Sequence, residues 1–296
     1  MRFFLYSSLI ASLLSSSLAC GSEWNVRDHI KLEDFVIQSH RGAGNLAPEN
    51  SRETFDLAWS LGTIPEADLR TTKDGVIVAF HDKDFSRILP RASAEMKKKG
   101  VEDLTWKEVA ALDIGAWKGP EFEGQRIPRI EEMFAQMNGK PGSRVYVDIK
   151  NVDLTQLARQ SKEAKVDDRL ILASTDYTLI REWKKLAPKS KTLHWMGGPE
   201  ATLSKRLDAL AVEGFEGIDQ LQIHVKPTKD GFEPSPEFLR QTGITLRAHD
   251  ILFQTLPWQS RDESLFYQLM DLGVASFATD FPDFTAKTVQ RYYHKQ

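Results

Sequence analysis

The chain has 296 residues, 41% of them apolar and 27% charged, which are ordinary globular proportions and argue against a disordered or fibrous chain. Its length suits one large domain that buries a core without needing disulfides or a structural metal, and its single cysteine, Cys20, excludes an internal disulfide. The net charge of −3, from 39 basic and 42 acidic residues, leaves no basic surplus to grip a phosphate backbone, so nucleic acid is not an expected partner.

Residues 1–19 read as a secretory signal peptide. Arg2 is the only charge among them, an apolar stretch follows, and Ser17-Leu18-Ala19 closes it with small residues. The apolar stretch is about a dozen residues long, too short for a permanent membrane helix of roughly 20. Cys20 follows directly. It reads as the acylated N-terminus of a bacterial lipoprotein, with cleavage after Ala19 and an incidental cysteine as the alternative. The expected product is therefore exported, either anchored to a membrane, periplasmic or secreted. The expected domain is 20–296.

Beyond this segment, short apolar or alternating runs recur at 35–39, 64–69, 76–80, 145–149, 170–173, 192–196, 217–223, 244–246 and 274–278. Helical patterns separate them at 51–61, 104–112, 130–137, 154–164, 177–186, 200–212, 236–241 and 263–272. Strand alternating with helix predicts an α/β protein with a parallel sheet. The runs at 64–69 and 76–80 lie too close for a parallel crossover and carry the turn pair Asp74-Gly75, so they predict a hairpin. Eight parallel strands then remain, which is a (β/α)8 barrel with its site at the C-terminal strand ends.

Residues able to carry chemistry gather at those ends. A two-residue turn at Asp74-Gly75 places His81 opposite Asp68, whereas a three-residue loop faces it to Ala67. The first register brings Glu66, Asp68 and His81 together, because alternate strand residues share a face. Carboxylates converging in a barrel mouth are costly unless something positive joins them, and a hard divalent cation with oxygen ligands is the natural partner. Asp148 and Lys150 end a third strand on one face and offer another carboxylate and a cation for an anionic substrate. His40 and Arg41 end the first strand, followed by Gly42 and Gly44, which would let backbone turn closely around a ligand. Two facing histidines suit general acid and base roles near neutral pH. Trp195, Phe253 and Trp258 are candidates for pocket lining, Trp195 foremost.

These pieces, in order, resemble the glycerophosphodiester phosphodiesterase family. The matching residues are His40-Arg41-Gly42, Pro48-Glu49-Asn50-Ser51, Glu66-Ala67-Asp68, Thr72-Lys73-Asp74-Gly75, His81-Asp82, Ile127-Pro128 before Glu131-Glu132, Asp148-Ile149-Lys150 and Thr279-Asp280-Phe281-Pro282. The resemblance implies a TIM barrel that hydrolyses glycerophosphodiesters to glycerol 3-phosphate and an alcohol with Ca²⁺ or Mg²⁺. It implies His40 and His81 as the acid–base pair, Glu66, Asp68 and Asp148 as metal ligands, and Arg41 and Lys150 as the phosphate grip. It assigns Glu49 and Asn50 to ordering the first loop, and a small insertion to about 84–126. Three departures accompany it. Asp148 stands where the family has Glu, Ser51 where it has Thr, and 247–250 where it has an aromatic stretch on the seventh strand, making Arg247 a second candidate anion grip.

Three other readings compete. A phospholipase D-like enzyme acting on lysophospholipids would want an open apolar surface beside the mouth. A silent barrel that only binds phosphorylated ligands would not need both histidines. A glycoside hydrolase would use paired carboxylates but has less use for Arg41 and Lys150.

Overall fold

The computed structural model describes residues 24–295. The expected signal peptide and Cys20 lie outside the described residues. Among the described residues, no helix is long and apolar enough to cross a membrane.

The strands are β1 (Val36–Ser39), β2 (Ile64–Thr71), β3 (Ile77–Ala79), β4 (Val145–Asn151), β5 (Leu170–Ser174), β6 (Lys191–Met196), β7 (Gln220–Thr228), β8 (Gly231–Glu233), β9 (Leu252–Pro257) and β10 (Ser276–Thr279). Eight of them pair in parallel in the order β1-β2-β4-β5-β6-β7-β9-β10, and β10 returns to β1. The sheet is thus a closed TIM barrel with helices between its strands. β1 meets β10 over four residue pairs but meets β2 only through Gln38 with Ile64 and Ser39 with Pro65.

Two short strands stand outside the barrel. β3 pairs antiparallel with β2, and β8 pairs antiparallel with the outer end of β7. The far edge of β3 is covered, since Ala79 N–H donates to Pro128 O at 3.0 Å and Val78 bridges to Arg129. β8 is three residues long and is followed by Pro234.

The helices begin where short polar side chains cap them. Ser51 Oγ accepts from Thr54 N at the start of Arg52–Ser60. Asp153, Asp176, Ser235 and Asp262 cap Leu154–Glu163, Tyr177–Leu186, Pro236–Ala248 and Glu263–Asp271 in the same way. Their apolar faces pack on the outside of the barrel, burying Phe55, Phe134, Trp183, Phe253, Phe266 and Phe277 completely. The chain between β3 and the Ile130–Asn138 helix builds a separate small core around Phe85, Ile88, Val101, Leu104, Val109 and Ile114.

The barrel interior is partly polar. Gln38, Tyr146, Gln220, Gln222, Gln254 and Ser276 are buried there and bond to one another. Gln222 Nε2 donates to Gln254 Oε1 at 2.5 Å, Gln254 Nε2 to Ser276 Oγ at 2.9 Å, and Tyr146 OH to Gln220 Oε1 at 2.7 Å.

One expected strand is corrected. Residues 244–246 are helical, because Pro236–Ala248 continues through them with Leu239, Thr242, Gly243 and Leu246 buried at helical spacing. The seventh barrel strand is β9. The hairpin register is also corrected. Leu69 pairs with Ala79 and Arg70 with Val78, which is the three-residue-loop register facing His81 to Ala67. Gly75 at φ +85 supplies the left-handed residue that such a loop requires.

Candidate active site

The C-terminal ends of the strands enclose a 340 Å³ pocket lined by Gln38, His40, Arg41, Glu66, His81, Asp148, Lys150, Trp195, His224 and Trp258, among others. Of the residues expected to act as catalysts, metal ligands or phosphate grips in the first four strands, all but Asp68 face it. Asp68 lies just beneath, fully buried.

Glu66 and Asp68 come from β2 and Asp148 from β4. The two strands run in register, with Asp68 beside Asp148. One oxygen from each carboxylate lies within 4.8 Å of the others, and the three side chains are almost wholly buried. Lys150 Nζ spans two of them, 2.8 Å from Asp148 Oδ2 and 3.1 Å from Asp68 Oδ1. Asp68 Oδ1 is buried and makes no hydrogen bond besides this ion pair. Three buried carboxylates against one ammonium leave excess negative charge, and oxygen donors so placed fit a hard divalent cation.

The electrostatics follow from this crowding. Burial pushes Asp148 up to about 7, Glu66 and Asp68 add to the rise, and Lys150 opposes it. Burial also raises Glu66. Burial pulls Asp68 upward too, but the charges of Lys150, His81 and Arg41 and a bond from Asn50 together bring it below its ordinary value. Asn50 clamps this carboxylate, donating from Nδ2 to Asp68 Oδ2 and accepting from Asp68 N, each at 2.9 Å. Gln38 Nε2 donates to Glu66 Oε2 at 3.1 Å.

Each histidine is held by a carboxylate. His40 Nδ1 is 2.7 Å from Asp280 Oδ1, and His81 Nδ1 is 2.7 Å from Asp82 Oδ1. Arg41 Nη2 donates to His81 Nε2 at 2.9 Å, which makes that nitrogen an acceptor and places the ring proton on Nδ1. Burial works against a charged His40, but Glu66 and Asp280 outweigh it and raise its pKa. The site therefore holds an imidazole biased to carry a proton and another whose Nε2 lone pair faces the pocket as an acceptor, engaged by Arg41.

An ion-pair lattice supports His81. Arg87 donates from both terminal nitrogens to Glu49 at 2.7 Å and from Nε to Asp82 Oδ2 at 2.8 Å. Glu49 also accepts from Arg41 at 3.3 Å. The oxygens of Glu49 and Asp82 and a ring nitrogen of His81 form a second cluster of metal-ligand type, but two guanidiniums already satisfy it. Arg70 Nε and Nη2 donate to the His81 carbonyl at 3.0 and 2.9 Å, and Arg70 Nη1 pairs with Glu102 at 2.6 Å. These bonds hold His81 at the mouth, one residue past the last cross-strand bond, from Phe80 N–H to Asp68 O at 2.8 Å.

Three expectations change. Gly42 and Gly44 are required by the protein rather than a ligand. At φ +105 a Gly42 Cβ would lie 2.1 Å from Thr54 Cγ2, and at φ +59 a Gly44 Cβ would lie 2.2 Å from the Asp280 carbonyl. Arg247 is not an anion grip. It ends the Pro236–Ala248 helix and lies over the Trp24 ring at 4.3 Å. Phe253 is buried in the core, whereas Trp195 and Trp258 line the pocket.

Asp280, Asp82, Arg70, Arg87, Gln38 and His224 are site neighbours to which sequence reasoning gave no role. Asp82 and Asp280 fell within quoted motifs, and Arg70 continues the alternation of Glu66 and Asp68. Arg87 lies five residues from Asp82, but its other partner, Glu49, is 38 residues away, and no pattern in the chain joins the three.

The sequence model of the glycerophosphoryl diester phosphodiesterase family matches residues 40–284. A glycerophosphodiester phosphodiesterase of Caldanaerobacter subterraneus subsp. tengcongensis is 31% identical over 86% of this chain and 98% of its own. One of Bacillus altitudinis is 25% identical over 85% of this chain and 96% of its own. Among solved structures, a glycerophosphodiester phosphodiesterase of Agrobacterium tumefaciens superposes with a TM-score of 0.66 at 22% identity, covering 85% of this chain and 99% of that one. A phosphodiesterase of Oleispira antarctica in complex with the product sn-glycerol-3-phosphate does so at 0.63 and 22%, covering 88% and 97%. With the barrel closed and the family motifs gathered at its mouth, the chain belongs to the glycerophosphoryl diester phosphodiesterase family and is a phosphoric diester hydrolase of that class.

Proposed function

We propose that this enzyme hydrolyses glycerophosphodiesters to glycerol 3-phosphate and an alcohol by two-histidine catalysis beside a divalent cation. The observation that carries the reading is the pair of imidazoles, each tied through Nδ1 to a carboxylate and each lining the pocket that also holds Glu66, Asp148, Arg41 and Lys150.

Glu66, Asp68 and Asp148 would hold Ca²⁺ or Mg²⁺, whose charge beside the phosphate oxygens would favour the crowded transition state. Arg41 and Lys150 grip the phosphate, and Arg41 leaves His81 Nε2 to do so. His81 takes the proton of the substrate's own glycerol hydroxyl, whose oxygen attacks phosphorus. His40 gives its proton to the departing alcohol oxygen as the phosphorus–oxygen bond breaks. Water then opens the resulting cyclic phosphate. His40, now neutral, accepts a proton from that water, and His81 returns its proton to the glycerol oxygen, so both histidines finish as they began.

The test is release of glycerol 3-phosphate from glycerophosphoethanolamine by the purified mature protein, in EDTA and with Ca²⁺ or Mg²⁺ restored. Turnover that depends on the cation is expected. Turnover unaffected by EDTA would remove the metal from the scheme, and none under any condition would overturn the activity.

Arg70 has a measurable part in this scheme. Arg70→Met should lower kcat by about 10²-fold with little change in KM, because an angstrom of misplacement at a proton-transfer group costs that much. Steady-state kinetics on folded variant protein decide it, and an unchanged kcat would show that Arg70 serves the fold alone.

Export rests on the sequence of residues 1–19 alone, and the mass of the mature N-terminus distinguishes acylated Cys20 from plain cleavage after Ala19.

A further inference from the structure

The polar interior of the barrel ends on the site. Gln38 on β1, Gln222 on β7, Gln254 on β9 and Ser276 on β10 are each at most 3% exposed. Gln38 and Gln222 also belong to the lining of the pocket at the mouth. The strands set this group abreast. Gln222 lies beside Gln254, Gln254 beside Ser276, and Ser276 beside Val36, which shares a face with Gln38 two residues on.

The hydrogen bonds that join them run in one direction. A backbone carbonyl only accepts, so Ser276 Oγ gives its proton to Val36 O at 2.9 Å. Ser276 Oγ is then left to accept, and takes a bond from Gln254 Nε2 at 2.9 Å. This turns Gln254 Oε1 toward Gln222, whose Nε2 donates to it at 2.5 Å. The same Nε2 carries a second proton, and Gln38 Oε1 lies 3.4 Å away to accept it. Gln38 is thereby turned with Nε2 toward Glu66 Oε2, 3.1 Å away. His224 Nε2, 3.1 Å from Gln222 Oε1, holds the other side of that amide. Reversing any amide of the chain would set oxygen against oxygen or N–H against N–H, which a dry interior penalises.

Each carboxylate of the acidic cluster then has one oxygen held by a donor from the protein. Gln38 holds Glu66 Oε2, Asn50 holds Asp68 Oδ2, and Lys150 holds Asp148 Oδ2. The two amides are neutral, so they fix a carboxylate without cancelling the charge that attracts a cation. Glu66 needs such an anchor most, because its side chain has one more rotatable bond than an aspartate. Its Oε1 accepts no hydrogen bond among the described residues and stays available to a ligand in the pocket.

We propose that Gln38 is a positioning residue for the cation site. Its amide fixes Glu66 with Oε1 left for the cation. Gln222, which hydrogen-bonds to no carboxylate among the described residues, sets cation affinity from a distance by orienting Gln38. The inference rests on the divalent cation of the reading above and names residues that tune its affinity.

The experiment titrates Ca²⁺ or Mg²⁺ alone, without substrate, into the stripped mature protein by calorimetry. It compares the parent, Gln38→Met, Gln222→Met and the double variant. Methionine keeps the length of glutamine and removes its donor and acceptor. Gln38→Met should weaken cation binding about tenfold or more, the usual loss when the partner of a metal ligand is removed. Gln222→Met should weaken it about three- to tenfold, the worth of one hydrogen bond, and carries the test if Gln38→Met does not fold. The double variant should bind no more weakly than Gln38→Met, because both losses run through one bond to Glu66. Unchanged affinity in either folded single variant, or losses that multiply in the double variant, would overturn the proposal and leave the cation reading intact. A parent that takes up neither ion would overturn the cation reading, and this proposal with it.

Discussion

The His40→Ala variant is expected to lose about 10²–10⁴-fold in kcat, the usual contribution of a positioned general acid or base. Glu66 and Asp280 raise the His40 pKa against the effect of its burial, which favours the protonated ring that the leaving oxygen needs. The loss should depend on the leaving group. A glycerophosphodiester with a nitrophenyl ester needs no proton at the departing oxygen, so the variant should recover much of its deficit on it. Asp280→Asn removes one source of negative charge and lowers the His40 pKa. The alkaline limb of kcat/KM, which reports loss of the acid's proton, should then move to lower pH. Equal deficits on alkyl and nitrophenyl esters would show that His40 is not the acid for departure.

The second large effect concerns stability. In the metal-free protein Asp148 is pushed up to about 7, by burial first and then by Glu66 and Asp68. An unfolded aspartate titrates near ~3.9. The folded state therefore holds a proton that the unfolded state has lost, and this group's contribution to stability falls as pH rises from about 4 to about 7. Protein stripped with EDTA should have a lower Tm at pH 7.5 than the same protein with Ca²⁺ or Mg²⁺. A cation at 100 times its Kd adds about 2.7 kcal/mol. Asp148→Asn removes the offending charge, so the stripped variant should melt above the stripped parent at pH 7.5 and gain less from the cation. Thermal unfolding at pH 5 and 7.5 checks both statements. A variant that melts no higher than the stripped parent, or gains as much from the cation, would place the cation elsewhere.

The barrel was legible where strands follow simple patterns. β4 and β5 are apolar runs between well-capped helices, and the helices Tyr177–Leu186 and Glu200–Val212 fall where their periodicity puts them. The seventh strand was not legible, because its interior carries Gln254 and Thr255 where an apolar residue would have marked it. Those residues belong to the polar interior, which one strand's sequence cannot reveal. The apolar triplet at 244–246 drew the assignment instead, although it continues a helix that begins at Pro236. The final helix, Pro282–His294, was also not anticipated.

The site was legible in its reactive groups and obscure in their supports. His40, His81, Glu66, Asp68, Asp148, Arg41 and Lys150 stand at strand ends, where position in the chain predicts position in space. What holds them comes from elsewhere: Asp280 is 240 residues from His40, and Glu102 reaches Arg70 from the small satellite core. The convergence of His81 with Glu66 and Asp68 was anticipated through a register that the hairpin does not adopt. The last cross-strand bond, from Phe80 to Asp68, and the bonds from Arg70 hold His81 there by another route.

Barrel closure also bears on how the protein behaves when crowded. A sheet that returns on itself offers no template to which another chain can add a strand. Of the two strands outside the ring, β3 has its far edge covered, and β8 is three residues long and runs into Pro234, which has no N–H to donate. Association by strand exchange must therefore begin with a break in the ring. Two joins hold together through only two residue pairs, β9–β10 and β1–β2, and in the second of these one pair involves Pro65, which has no N–H to donate. The aggregation-competent species is then a barrel parted at the β1–β2 join, and substitutions that loosen the first loop would raise its population before they unfold the protein.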